Sequence, residues 1–465
     1  MKKLIKIALG AALPVVLAAG CSDYLKGGML TNNPNNPPQG SATNGQLFSS
    51  IQTNNFVYQE GDMGRAVAEW MQELVGVQRQ QITIYDYTGI TNATYDAEFQ
   101  RPYGGGGLTD IRTLEKNATT QGDLLFLGIA QVMEAWMIGQ TADVWGDIPY
   151  SQADSFTVYP TPKLDTQQSV YNAVEALLSQ AITNLGGAGA GPGSNDLVYG
   201  GTPGNWIALA HTLKARFYLH QAEKLGASMY ANALTEAQLG ITDPTGAGDY
   251  IAYHVDGLQL SENTWFQFMD GNGNTGRNGD LVAAVGSIHS TLWDTLVNNA
   301  DPRFAEYFDP TNTGGGEMST YRLSGGYPQP FVTYNENLLI MAEAELAAGN
   351  TAQAKIDLND EQGAWSSTVS LWHNPIAVPL SATATIHTIM LEKYITLFQN
   401  TEVWNDWKRT CEPHLTPVTL LPSFGNTVPS RMFYGQSEQQ TNPNIPAVGQ
   451  GSNGAFNWND PNKCP

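Results

Sequence analysis

Charge is scarce in this 465-residue chain, at 14 % of residues, and positive charge is scarcer still. There are 22 Lys and Arg against 43 Asp and Glu, a formal charge of −21. That balance excludes a nucleic-acid binder, which works by replacing counterions with basic side chains, and argues against direct adhesion to anionic lipid. The seven histidines are scattered; His211 and His220 stand nine apart, not the four that would put two ligands on one helical face. His-Glu-x-x-His, Gly-x-Ser-x-Gly, phosphate-loop and dinucleotide fingerprints are all missing, so no catalytic residues, metal or cofactor are expected. No apolar run reaches the roughly 20 residues of a membrane-spanning helix. Carboxylate pairs able to cleave glycosides stay open, because acidic residues are many and a sequence carries no distances.

What the chain has instead is apolar and aromatic mass. With 42 % hydrophobic residues, 11 Trp, 20 Tyr and 15 Phe it is not disordered, so its 48 glycines mark long loops on a folded body. Lys2, Lys3 and Lys6 precede a short apolar run, which ends in Leu17-Ala18-Ala19-Gly20-Cys21. A basic start, an apolar core and small residues before a cysteine describe a bacterial lipoprotein signal. The expectation is loss of residues 1–20 and lipidation of Cys21, with two or more acyl chains anchoring at roughly 0.8 kcal/mol per buried CH₂. An ordinary signal peptide with a chance cysteine is the alternative. Cys411 and Cys464 then remain, and one disulfide or two separate thiols are both open.

Residues 21–45, with Asn32-Asn33-Pro34-Asn35-Asn36-Pro37-Pro38, read as an extended spacer. Apolar spacing then predicts helices over 62–80, 108–118, 123–140, 166–185, 203–225, 335–348, 351–362 and 382–399. Residues 82–107 read as a polar, aromatic loop region. Residues 226–330 are rich in Gly and Asn, with short helices at best, at 286–296 and 302–307. The tail from Thr410 is proline-rich and without period. Residues 337–354 have the small residues and the terminating Gly349 of a tetratricopeptide-type helix and turn. The chain thus reads as mostly α-helical, one domain over 46–465 with a loop-rich insertion at about 226–330.

Gly104 to Gly107 precede a helix but lack the signature of a phosphate loop. Asp270 to Asp280 alternate oxygen ligands as calcium loops do, yet Thr275 stands where Gly is needed and Leu281 where the bidentate Glu belongs. Sugar binding is better supplied. Apolar C–H faces of sugar rings stack on aromatic rings, while amides and carboxylates satisfy the hydroxyls. Two loop clusters suit that chemistry: Tyr85, Tyr87, Asn92 and Tyr95, and then Trp265, Phe266, Phe268 and Asn272. Equally, such rings can anchor loops to a core, since each buries a large area.

The stretch Thr141-Ala142-Asp143-Val144-Trp145-Gly146-Asp147-Ile148-Pro149-Tyr150 resembles the hallmark of the SusD/RagB outer-membrane lipoproteins. Other segments follow in that family's order. They are Asn33-Pro34-Asn35, then Pro162 with Asp165, Gln167 and Tyr171, then Asp196, Tyr199, Trp206 and Arg216. Asp301-Pro302-Arg303, Glu343, Glu345, Lys393-Tyr394, Glu402 with Asp406 and Arg409, Arg431, Tyr434 and Asn442-Pro443-Asn444 complete the series. Lys408 and Gly435 depart from it, where Arg and Pro are usual. The motif residues read as structural: Trp145 and Tyr150 plug a helix end, and Arg216 and Arg409 meet buried carboxylates.

The resemblance implies a tetratricopeptide-like scaffold whose irregular loops form the ligand face. It implies a lipid-anchored protein at the cell surface, sitting as a hinged lid on a TonB-dependent, SusC-like transporter. It implies capture of nutrient oligosaccharides, sometimes peptides, without chemistry on them. Both aromatic clusters fall on the loops expected to hold ligand. A peptide binder on the same scaffold, a surface glycosidase, and an assembly scaffold without a small ligand remain alternatives.

Overall fold

The computed structural model describes residues 42–258, 260–269, 279–309, 317–421, 426–446, 457–460 and 464. Cys21, most of the spacer and Asn272 lie outside the described residues. Helices come first: α1 (Asn44–Glu60), α2 (Asp62–Trp70), α3 (Arg79–Tyr85), α4 (Asp96–Gln100), α5 (Leu108–Gln121), α6 (Leu124–Trp145), α7 (Gln167–Leu185), α8 (Pro203–Leu225) and α9 (Ala227–Ala237). The insertion carries α10 (Thr264–Met269), α11 (Thr291–Asn298) and α12 (Phe304–Tyr307). Then come α13 (Tyr334–Ala347), α14 (Thr351–Ala364), α15 (Ile386–Thr396), α16 (Glu402–Thr410) and α17 (Gln436–Thr441).

The scaffold is a set of helix pairs, α6 on α7, α8 on α9, and α13 on α14, with α9 joining the last two pairs. Local chemistry sets their starts. Thr43 and Gln46 form a capping box at α1, Asp123 accepts from Phe126 N at α6, and Pro203 occupies the first turn of α8. α6 has the length and hydropathy of a membrane span, which the sequence reading did not recognise, but 89 % of that stretch is buried inside the protein. It is the central core helix. Its Gly139 lets α8 approach so closely that an added Cβ would lie 2.2 Å from Phe217 Cζ.

Strands among the described residues are short antiparallel pairs: β1 (Val75–Gly76) with β5 (Leu281–Val282), β2 (Ile148–Pro149) with β3 (Leu164–Asp165), β4 (Tyr250–Ala252) with β10 (Gln329–Val332), β6 (Ala284–Val285) with β7 (Ile288–His289), and β8 (Phe308–Asp309) with β9 (Glu317–Met318). The main core runs through most of these elements and is rich in indole, while α9, α13 and α14 pack into two smaller apolar clusters. Trp70, Trp136, Trp145, Trp206, Trp265, Trp365, Trp372, Trp404 and Trp407 are fully buried.

Several sequence expectations need correction. The helix expected at 286–296 starts only at Thr291, because Ile288 and His289 pair with Val285 and Ala284. The expected loop at 82–107 holds the end of α3 and all of α4. The helix expected over 62–80 ends at Trp70, because Val75 and Gly76 leave it to pair with Val282 and Leu281 of the insertion. The insertion itself opens with α9, an 11-residue helix missed because its buried face consists of Ala233 and Ala237, too small to register as an apolar stripe. At the other end, the structure joins Cys411 to Cys464, with Cα atoms 5.1 Å apart.

The hallmark motif serves as a clamp between helices. Trp145 Nε1 donates to Phe433 O at 2.7 Å, and Tyr150 Oη donates to Glu134 at 2.9 Å. Gly146, at φ +76, makes the turn that follows α6. Asp143 lies 2.9 Å from His220, whose other ring nitrogen lies 2.6 Å from Glu402. Burial alone would lower the His220 pKa, but the two carboxylates outweigh it and push it up to about 9. Arg216 donates to Glu336 at 2.6 Å, the buried-carboxylate role read from the sequence.

Candidate functional site

α2 is apolar except for a charged stripe, Asp62, Arg65 and Glu69, which helical spacing of three and four puts on one side. That side meets α3 and the loop at Gly89–Tyr95 across a hollow of about 310 Å³, lined by Asp62, Arg65, Gln80, Gln81, Thr83 and Tyr95 among others. Arg65 pairs with Asp62, and its guanidinium lies over the Phe268 ring at 4.2 Å. Its Nε and Nη1 have no hydrogen-bond partner among the described residues, and neither has the Tyr95 hydroxyl. Burial pushes that phenol well above its ordinary pKa, so it stays a neutral O–H. Beneath lies Glu69, fully buried, with its carboxyl raised well above the usual range by burial against the opposing Arg65 charge.

The structure brings Tyr95 of one predicted cluster and Phe268 of the other to Arg65, and does not bring the remaining described residues of the two clusters into the hollow. Phe268 stacks on Arg65 of α2, Trp265 packs beneath Gly64, and the β1–β5 ladder ties the loops together. Arg79 Nη1 adds an ion pair to Asp280 at 2.5 Å. The rings are arranged otherwise than a flat open platform. Tyr87, Tyr95 and Trp265 are buried, because each closes a loop onto the core; Tyr87 Oη, for instance, accepts from Val418 N at 3.3 Å. Tyr85, Asn92, Phe266 and Phe268 are half-buried, and none of them lines the hollow. Asn92 donates to Gln439 at 2.8 Å, fastening this loop to α17.

Asp62, Arg65 and Gln81 were missed from sequence. The available signal was an ion pair with i,i+3 spacing in an otherwise apolar helix. Among the described residues, no group of three or more His, Cys, Asp or Glu could hold a metal ion. The hollow can supply N–H and O–H donors, an acidic acceptor and aromatic edges. That is a set for holding a neutral polyhydroxylated ligand.

Helix pairs carrying a loop-built, donor-rich hollow define a helical-scaffold protein with a candidate binding site. The chain belongs to the SusD-like family, whose model, described as starch-binding and associating with the outer membrane, matches residues 34–435. Solved structures agree on the fold. A SusD/RagB family protein from Bacteroides thetaiotaomicron is 20 % identical with a TM-score of 0.72, over 87 % of this chain and 95 % of that one. A chitin-binding protein is 21 % identical at the same TM-score of 0.72 and the same 87 % and 95 % coverage. A second SusD-like protein from B. thetaiotaomicron is 18 % identical with a TM-score of 0.70, over 90 % of this chain and 99 % of that one. No curated protein matches this sequence.

Proposed function

We infer that this protein captures a nutrient oligosaccharide at the cell surface and delivers it to a TonB-dependent outer-membrane transporter, on which it sits as a lid. The observation that carries the reading is family membership across the body of the chain, in a family described as starch-binding and outer-membrane-associated. The chitin-binding relative widens the class from starch to neutral glycans. The lipobox supplies the anchor on Cys21. The Arg65 hollow supplies a candidate site: Arg65 and Tyr95 offer donors, Asp62 an acceptor, and Gln80, Gln81 and Thr83 further polar groups for sugar hydroxyls. No step makes or breaks a bond in the ligand.

The test is a binding screen of the soluble protein starting at Ser22 against starch-, chitin- and other plant and microbial oligosaccharides, with basic peptides beside them. A glycan hit weakened about ten- to hundred-fold by Arg65→Ala is expected, the loss of a charge-assisted hydrogen bond of roughly 1.5–3 kcal/mol. Binding to peptides alone would replace the substrate class. Release of a reducing sugar would refute the statement that no chemistry occurs.

A further inference from the structure

A second cleft, of about 530 Å³, shares no lining residue with the Arg65 hollow. Three segments build it: the end of α4 with Gln100 and Tyr103, the loop at 149–162, and α17 with Glu438. The loop is fastened at many points. Ser151 N donates to Asp165 at 2.6 Å, Arg112 Nη1 to Ala153 O at 2.7 Å, and Thr109 Oγ1 to Asp154 at 3.0 Å. From the tail, Asn442 donates to Pro162 O and Asn444 to Thr161 O, both at 2.8 Å.

On this braced loop Phe156 is 78 % exposed and Tyr159 43 % exposed, and both line the cleft. A large apolar ring held in water forgoes favourable burial, so two on one braced loop ask for a ligand. The lining excludes other classes. It has no Lys, Arg or His, while Asp154 and Glu438 are both acidic, which disfavours phosphates and acidic sugars. Gln152 accepts from Lys163 N through its carbonyl, and Gln100 donates to Asp96 through its amide nitrogen. The other half of each amide is engaged by no hydrogen bond among the described side-chain contacts. Flat rings edged by amides and carboxylates, without cations, match the C–H faces and hydroxyls of a neutral sugar chain. The volume falls within the about 300–1,000 Å³ usual for small-ligand clefts.

We propose that the Phe156–Tyr159 cleft is a second subsite, taking a short segment of a neutral oligosaccharide. It rests on the glycan reading of the protein's function. Two sites on one molecule let a long glycan bind at both, raising avidity above that of a fragment that fits one.

The experiment titrates the soluble protein with soluble starch, glycol chitin and their six- to seven-sugar oligosaccharides by calorimetry and affinity electrophoresis. Wild type is compared with Phe156→Ala/Tyr159→Ala and with Arg65→Ala. The exposed rings can be removed without loss of fold, which circular dichroism checks. The expected result is at least about ten-fold weaker polysaccharide binding by the double variant, a change of ~1.4 kcal/mol. If the double variant binds as wild type does while Arg65→Ala is impaired, the cleft proposal falls and the glycan reading stands. If wild type holds none of the four probes, both fall.

Discussion

Replacing Arg409 should uncover how tightly the C-terminal helices depend on one buried charge cluster. The Arg409 side chain is fully buried. Its Nη2 donates to Glu343 Oε2 at 2.6 Å, its Nη1 to Glu343 Oε1, and its Nε to Asp406 at 3.0 Å. Lys393 Nζ lies 2.8 Å from Glu343 and 3.2 Å from Asp406. Two cations and two anions thus balance between α13, α15 and α16. Arg409→Met leaves one negative charge without compensation in the core, at a cost of about 3–5 kcal/mol. Glu343→Gln, which strands a positive charge, should cost a similar amount. The double variant restores neutrality through the remaining Lys393–Asp406 pair, so it should cost at least ~2 kcal/mol less than the sum of the singles. Urea unfolding of the soluble protein, followed by tryptophan fluorescence, reads all three. Single variants within about 1 kcal/mol of wild type, or strict additivity, would refute the reasoning. The same cluster predicts acid sensitivity. Burial raises the Glu343 pKa, but Arg409 and Lys393 outweigh it and hold the carboxyl below its usual 4.5. A folded value below the unfolded one stabilises in full above pH 4.5, and that contribution is lost as pH falls below it.

His220 predicts the opposite slope. Its folded pKa is raised from 6.5 to about 9, so its contribution is complete below pH 6.5 and is lost as pH rises through 9. Unfolding midpoints should therefore drop over that alkaline range in wild type, and a His220→Gln variant that kept the slope would contradict the assignment. Cys411 and Cys464 are 53 residues apart, and closing a loop of that length stabilises by about 4 kcal/mol in the chain-entropy account. Alkylation without reductant should leave both unmodified by intact mass, and Cys411→Ser/Cys464→Ser should lower the thermal midpoint; ready alkylation of both thiols would sink this. Gly146→Ala forces a side chain into a left-handed turn with its Cβ 2.8 Å from Asn457 Oδ1, at a cost of about 1–3 kcal/mol. An unchanged unfolding midpoint would show that the turn tolerates a side chain.

Much of the helical scaffold was legible in advance, and for a local reason. α5 to α8, α13 and α14 carry apolar residues at helical spacing between clear start and stop signals such as Asp123, Thr166, Pro203 and Gly349. A single residue pattern determines each of them. α9 was illegible because alanine buries a helix face without raising the hydrophobic signal. The break after Trp70 was illegible because its cause is a strand more than 200 residues away.

The site divides along the same line. By its own residues the sequence determined the family's ordered motifs, the predominance of helix, and which loops carry the aromatic residues. All of these are contained in short stretches of chain. Tertiary structure alone decided that Tyr87, Tyr95 and Trp265 turn inward, that Arg65 and Phe268 meet, that Cys411 joins Cys464, and that Phe156 and Tyr159 stand exposed on a braced loop. Burial and contact are properties of segments brought together from distant parts of the chain, and periodicity along one segment carries no record of them.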